Sequence, residues 1–227
     1  TDYTGGVEET KYPVPYYLYD GNLINDVQYL FNKDVLLNYI LRPIADPDKT
    51  DLATVYQSWW TDEYYNIQWV MHNYVQPEAV EEETPAEAYL ESTGRNLDVN
   101  ICPYIEQNPD TEFYVFFPPG SILFWNDVMR ENHLEATLAE HQYIVDRLLS
   151  YDNVRIFFFS NQEWIVTDLN HYADEIHYHS DINYYMTECF ANGACEVESS
   201  AQMAEELAKM RDVIGRFDFE TLFSVEY

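Results

Sequence analysis

Two short runs made almost entirely of apolar residues mark the centre of the chain. They are residues 113–117 (FYVFF) and 154–159 (VRIFFF), each bounded by turn residues. Continuous rather than alternating apolar residues are typical of strands that are covered on both faces. A strongly helical pattern over residues 125–150 separates the two runs. This order predicts a parallel crossover unit, with ligands at the carboxyl ends of its strands.

Apolar residues at helical spacing predict further helices on both sides of this unit. Two short helices are expected from Asn22 onward, and Pro43 is expected to end the second one. A Pro- and Glu-rich stretch predicts an exposed loop over 76–91. The remaining predictions are helices within 56–74, over 96–107, over 181–191 and over 199–214, and a final strand over 217–227.

Composition predicts a folded body with restricted partners. The 227 residues are 47% hydrophobic and 17% aromatic, and 11 Lys and Arg stand against 41 Asp and Glu, for a net charge of -30. Residues 1–15 lack periodicity and are expected to form a disordered tail or stub, and residues 16–227 a single α/β domain. Nucleic acids and anionic lipids require cationic surfaces, so neither is an expected partner. No apolar run approaches the ~18 to 20 residues that span a bilayer, so no membrane insertion of this chain is expected.

Ionisable side chains are concentrated after the second predicted strand. Four carboxylates and three of the six histidines lie between Asp168 and Asp181. Asp174 and His177 are three residues apart, a spacing at which one turn of backbone brings a carboxylate to an imidazole. In general-base catalysis the histidine takes a proton from a hydroxyl or a water, and the carboxylate orients the ring. We therefore predict that Asp174 and His177 are catalytic residues.

Other chemistries for the same region stay open at this point. A metal site competes with the catalytic pair, because nitrogen and oxygen ligands recur at short separations, although no His-Glu-x-x-His or paired-cysteine spacing occurs. Ser121 lacks a Gly-x-Ser-x-Gly elbow, so a helix N-cap is favoured over a nucleophile. The candidate metal ligands are His171, His177, His179, Asp168, Asp174 and Asp181.

The three cysteines predict two different situations. Cys102 lies in an apolar-periodic segment and is expected to be a buried thiol. Cys189 and Cys195 bracket five residues, and a loop of this length can close a disulfide. The sequence alone does not show whether the two sulfurs meet.

Several sequence blocks resemble one protein family. The strings FYVFFPPGSILFW, LLSYDNVRIFFF, IVTDLN and HYADEIHY are similar to the C-terminal half of an SGNH/GDSL-type hydrolase. The resemblance is to the surface-associated bacterial branch that is distantly similar to the D-alanyl transfer protein of teichoic acid metabolism. Residues 17–36 are similar to the segment that precedes these blocks in that branch. The resemblance implies a three-layer α/β/α, flavodoxin-like fold with a short parallel sheet.

The resemblance also implies a serine-dependent reaction. In the family, an Asp and a His that match Asp174 and His177 complete a triad with a serine from an N-terminal Gly-Asp-Ser-like block. No Gly-Asp-Ser, Gly-Thr-Ser or Gly-x-Asn-Asp block occurs here, so N-terminal strands and the nucleophile are expected to be missing and this chain to be inactive alone. The complete protein is expected to be an esterase or acyltransferase acting on acylated cell-surface glycans, without a metal or cofactor.

The resemblance places the protein outside the cell or facing the cell envelope, with a membrane anchor expected on the complete protein. A half-domain exposes one edge of its sheet, which predicts homo-oligomers through that edge.

A second function, from a different class, stays open. It is a non-catalytic surface module in which the aromatic segment near Trp59 and Trp60 binds a glycan or a protein.

Overall fold

The computed structural model describes residues 22, 24, 25, 27, 33, 35–45, 61–225 and 227. The chain divides into two compact units, Thr1–Thr61 and Asp62–Tyr227. The predicted tail over 1–15, the predicted domain start at residue 16 and the pair Trp59 and Trp60 lie outside the described residues, so the extent of the domain stays a prediction. In the first unit a π-helix (Val35–Leu41) leads into α1 (Arg42–Ala45). The helical backbone therefore runs past Pro43, where the sequence predicted its end.

Two parallel strands form the sheet of the second unit. β1 (Phe113–Phe117) pairs with β2 (Val154–Phe158), in register from their first residues to their last. Both predicted strands are thereby confirmed to within one residue, and so is their parallel direction. The described chain is otherwise mostly helical, which confirms the predicted α/β class with a short parallel sheet.

The two strands are covered to different extents. β2 is buried along almost its whole length, as its apolar sequence predicts. β1 alternates instead, with Tyr114 and Phe116 39% and 42% exposed, so the prediction that both faces are covered is wrong for this strand. The ring of Phe190 contacts both side chains, and Tyr114 also stacks on Phe157, so this face is only partly covered. Residues 195–197 bond to the other side of β2, so β1 is the edge of the sheet within 61–225, and self-association through it stays a prediction.

The connection between the strands consists of two helices, whereas the sequence predicted one over 125–150. α5 (Ile122–Arg130) and α6 (Leu134–Leu148) are separated by a turn in which Asn132 has a φ of 57°. Asparagine adopts this left-handed conformation more readily than most residues. The Asn132 side chain also donates to the carbonyl of Glu81 at 2.9 Å. The break between the helices is thus fixed by the backbone conformation of Asn132 and by its contact with a residue far away in the sequence. A pattern of apolar residues cannot predict either of these.

Short helices precede the sheet. The loop predicted over 76–91 is shorter than expected because a helix begins at Ala86, directly after Pro85, whose restricted φ suits a helix start. The same helix packs against α6. Cys102 is buried as predicted. The segments are a 3₁₀ turn at Asp62–Tyr64, α2 (Ile67–Asn73), α3 (Ala86–Asn96), a π-helix at Leu97–Ile101 and α4 (Cys102–Gln107).

Helices also follow the sheet, including the two predicted over 181–191 and 199–214. The final strand predicted over 217–227 is wrong, because Phe219, Leu222 and their neighbours form a helix. Asp218 caps that helix, with its carboxylate accepting from the Thr221 N–H at 2.9 Å. The segments are α7 (Glu163–Val166), a 3₁₀ turn at Leu169–His171, α8 (Ser180–Asn192), α9 (Ser200–Arg216) and α10 (Phe219–Ser224).

The longest of these helices, α9, has 17 residues. It buries Met203, Leu207, Met210 and Ile214 and exposes charged residues on its opposite face, as expected for a helix that lies on a core. Across the described ranges, no helix is both long enough and apolar enough to cross a membrane.

A histidine lies among the aromatic rings beneath the sheet. The ring of His141, on α6, is 4.8 Å from the ring of Phe117 and also contacts Trp125 and Phe158. Part of the residue reaches the surface, but its Nδ1 is buried and has no hydrogen-bond partner in the described part of the chain. Burial therefore lowers the pKa of His141 to about 4, since a charged imidazolium would lose its hydration there.

This burial predicts a specific loss of stability in mild acid. The unfolded imidazole takes up its proton near a pKa of about 6.5, whereas the folded one does so only near 4, so the unfolded state binds more protons between these values. The free energy of unfolding should therefore fall between pH 7 and 5 by between about 1 and 2 kcal/mol more than in a His141→Phe variant. Urea unfolding of both proteins at each pH measures this difference, and equal pH slopes would contradict it.

Candidate functional site

The loop after β2 folds back on itself as a short hairpin. Tyr172 and Tyr178 form an antiparallel bridge. The N–H of Ala173 donates to the His177 carbonyl at 2.9 Å, and the N–H of His179 to the His171 carbonyl at 2.7 Å. We call residues 171–179 the site hairpin. Its tip consists of residues 174–177, which include both predicted catalytic residues.

The tip holds the Asp174 carboxylate in a fixed orientation. Its Oδ1 accepts hydrogen bonds from the backbone N–H groups of Ile176 and His177, at 2.9 and 2.7 Å. Its Oδ2 lies 2.6 Å from His177 Nδ1. The backbone turn thus orients the Asp174 carboxylate, and the carboxylate orients the ring of His177. The structure therefore brings together the two residues that the sequence predicted.

The contact decides which ring nitrogen of His177 carries a proton. Because Nδ1 faces a carboxylate, it is the donor, and in the neutral ring Nε2 then has the lone pair. The His177 side chain is 52% exposed and that of Asp174 30%. The pair therefore lies at the surface of the protein, at the tip of the site hairpin.

Two hydrogen bonds join the site hairpin to the turn after β1. The N–H of Ser121 donates to the carbonyl of Glu175 at 2.9 Å. The buried hydroxyl of Tyr172 donates to the carbonyl of Pro119, also at 2.9 Å. The carboxyl ends of the two strands, where the sequence placed the ligand site, are therefore bonded to each other.

The same segment contains a second carboxylate and histidine at the same spacing. Asp168 and His171 are also three residues apart, yet their side chains are 3.9 Å apart at the closest. Asp168 instead accepts from the N–H and the side chain of Asn170, at 3.0 and 2.8 Å, and His171 packs edge-on against Trp164. A three-residue spacing alone therefore does not bring a carboxylate and an imidazole into contact. The backbone turn at 174–177 is what brings Asp174 to His177.

His179 has the opposite proton arrangement from His177. Its Nδ1 accepts from the N–H of Asp181 and so caps α8, and its Nε2 lies 3.3 Å from the carboxylate of Asp62. Nε2 is therefore the donor in His179. His171 and His177 thus have one carboxylate neighbour each, Asp168 and Asp174, and His179 has two, Asp62 and Asp181. Within the described part of the sequence, no group of three or more His, Cys, Asp or Glu side chains is arranged to hold a metal ion.

A tyrosine from the N-terminal part of the unit borders the site, and the sequence did not predict it there. The ring of Tyr65 packs edge-on against His179 at 4.8 Å. Burial and the charges of Asp174 and Asp62 raise the pKa of Tyr65. More than one hundred residues separate Tyr65 from the hairpin, so no local pattern could have shown the contact. The aromatic richness of 56–74 was the available signal.

The serines at the strand ends have structural roles. Ser121 is fully buried and its hydroxyl caps α5, accepting from the N–H of Phe124 at 3.4 Å, which confirms the predicted N-cap. Ser160 is also buried, and its hydroxyl donates to the carbonyl of Pro118 at 3.0 Å. Neither hydroxyl is presented to solvent as a nucleophile.

A surface cleft of about 640 Å³ lies elsewhere, between the start of α7 and α9. Its lining is strongly charged, but its two cations are already paired, Arg216 with Glu163 and Lys209 with Glu206. The cleft does not include the catalytic pair, so the exposed hairpin tip is the better candidate site.

Comparisons of the chain with protein-family models, with curated proteins and with solved structures found no match. The chemistry of the site is therefore inferred from its own residues.

The geometry predicts the tautomer of His177. In ¹⁵N NMR spectra recorded above the imidazole titration range, Nδ1 of His177 should be the protonated nitrogen, and Asp174→Ala should reduce that population because the acceptor is lost. His179 is an internal control, since its proton belongs on Nε2 and should stay there in the variant. A His177 proton that resides on Nε2 in the unaltered protein would contradict the structure.

Proposed function

We propose that the protein is the C-terminal part of an SGNH-like serine hydrolase or acyltransferase that acts on ester or acyl groups of cell-surface glycans. The observation that carries the proposal is the 2.6 Å contact between Asp174 Oδ2 and His177 Nδ1 at an exposed turn beyond the carboxyl end of β2. Carboxylate, imidazole and the carboxyl end of a parallel strand are the combination that serine-dependent acyl transfer uses.

In this proposal His177 is the general base. Nε2 takes the proton of a serine hydroxyl as the serine oxygen attacks the ester carbonyl, and then gives that proton to the departing alcohol. Asp174 holds the ring and stabilises the imidazolium that forms between the two transfers. Water or a second hydroxyl then accepts the acyl group from the serine, and His177 removes its proton and returns it to the departing serine oxygen. No step requires a metal or a cofactor.

The nucleophile is proposed to lie outside these 227 residues. Ser121 and Ser160, the serines at the strand ends, are buried and bonded to backbone groups. The fold is correspondingly proposed to be a three-layer, SGNH-like α/β/α domain that lacks its N-terminal strands. The two-stranded parallel sheet, its helical crossover and the open edge of β1 within 61–225 support this proposal.

The location proposed for this enzyme is extracellular or facing the cell envelope.

The charge of the protein restricts the substrate. A net charge of -30 disfavours polyanionic substrates, because like charges repel across the surface. The acylated glycan is therefore proposed to be neutral or cationic.

An ester assay tests the catalytic proposal. The 227-residue chain should not hydrolyse p-nitrophenyl acetate above the buffer rate, whereas a longer form with a serine block upstream of Thr1 should. In that form His177→Gln should lower kcat by about 10³-fold or more. His171→Gln is the matched control, since His171 has the same spacing to a carboxylate without the contact, and it should keep kcat. Hydrolysis by the 227 residues that requires His177 would refute the missing nucleophile, and a longer form unaffected by His177→Gln would refute the assignment.

A second candidate function is a non-catalytic surface module, and an aromatic pair favours it. The ring of Trp69, 37% exposed, lies 4.5 Å from the ring of Tyr64. The N–H of Ile67, beside this pair, donates to the side chain of Asn170 near the site hairpin. Exposed aromatic rings beside polar amide and carboxylate groups are suited to the apolar face and the hydroxyls of a sugar ring.

Glycan-array binding separates this candidate from the first. A binding module should lose its glycan signal with Trp69→Ala, because the exposed ring is removed, and should keep it with His177→Ala. Trp164→Ala removes another half-exposed tryptophan of the same unit and is the matched control. Binding that is unchanged in Trp69→Ala would contradict the module hypothesis.

A further inference from the structure

The end of α8 brings the backbone of two cysteines back toward each other. Cys189 is buried in the last turn of the helix, and its carbonyl accepts from the N–H of Gly193 at 2.9 Å. Gly193 has a φ of 76°, and Cys195, two residues later, has a φ of 61°. A positive φ is unusual for a residue with a side chain and is kept where the surroundings enforce it.

The surroundings of Cys195 are well defined. Its carbonyl accepts from the N–H of Phe158, and the N–H of Val197 donates to the carbonyl of Ile156, at 2.9 and 2.8 Å. The segment is therefore attached to the fully buried part of β2. The backbone of Cys195 is therefore fixed by its hydrogen bonds to β2, and the backbone of Cys189 is fixed by α8.

One tyrosine hydroxyl lies beside both sulfurs. Tyr185, one helical turn before Cys189, has its hydroxyl 3.6 Å from Cys195 Sγ, and the thiol of Cys189 is its other sulfur neighbour. Burial raises the pKa of Cys195, and the neighbouring thiol of Cys189 raises it further. The two thiols therefore lie near one another around the Tyr185 hydroxyl, whereas Cys102 is on α4.

We propose that Cys189 and Cys195 form a cross-linking site that closes into a disulfide when a disulfide oxidant of the glutathione class is present. All three thiols are free in the structure, which therefore represents the reduced form. This site is separate from the catalytic pair, and its test does not depend on enzymatic activity.

The reaction follows from the different exposure of the two sulfurs. Cys195 is partly exposed and Cys189 is buried, so the thiolate of Cys195 attacks oxidised glutathione first, which releases one glutathione and leaves a mixed disulfide. The thiolate of Cys189 then attacks the sulfur of Cys195, and the second glutathione leaves. Two thiols are oxidised, one glutathione disulfide is reduced to two thiols, and the two protons pass to the glutathione thiolates.

Mass spectrometry of the full chain tests the proposal. After incubation with oxidised glutathione, denaturation and alkylation, the protein should carry one alkyl group, on Cys102, and should have lost two hydrogen atoms. Peptide mapping should join the peptides of Cys189 and Cys195, and the Cys102→Ser variant should form the same bridge. The Cys189→Ser variant should instead retain one glutathione on Cys195.

Two results would overturn the proposal. One is three alkylated cysteines after oxidation, and the other is a bridge that includes Cys102. The mapping of the unaltered chain decides the matter even if the Cys189→Ser variant does not fold.

Discussion

The parallel pairing of β1 with β2 is the constraint on which the candidate site depends. Because parallel strands end at the same edge of a sheet, the turn after β1 and the loop after β2 begin next to each other in space. Hydrogen bonds then fix them together, from Tyr172 to Pro119, from Ser160 to Pro118 and from Ser121 to Glu175. These bonds are largely buried, where a lost partner leaves an unsatisfied polar group and costs about 1–3 kcal/mol. The site hairpin is therefore attached near its base through Tyr172 and at its tip through the Glu175 carbonyl, while the His177 side chain is half-exposed.

The two histidines at positions 177 and 179 differ in the hydrogen bonds of their ring nitrogens. His177 directs Nδ1 to the carboxylate of Asp174, whereas His179 uses Nδ1 as an acceptor for the Asp181 N–H at the start of α8 and directs Nε2 to Asp62. Two histidines that are two positions apart thus have different hydrogen-bond partners at the same ring nitrogens. His179 is a structural cap, and His177 is the residue suited to move a proton.

The sequence predicted what short-range patterns can express. The strands follow from apolar runs, and the Asp174 and His177 contact follows from a three-residue spacing that a single turn closes. Features with long-range or conformational causes were missed. Asn132 breaks the crossover through a left-handed φ, and the contact between Asp62 and His179 spans 117 positions. The error at α10 has a different cause, since its aromatic residues suit both a strand and a helix, and the Asp218 cap decides for the helix.

The proposed cross-link and the proposed active site are connected through α8. The helix begins at the His179 cap beside the site hairpin and ends at Cys189. Between them, the ring of Tyr185 packs on Trp164, which in turn packs on His171 at the base of the hairpin. A bond between Cys189 and Cys195 would attach the far end of this helix to β2, the strand that also leads into the hairpin. Disulfides persist where the surroundings are oxidising, and the extracellular or envelope-facing location proposed for this protein would be such a setting.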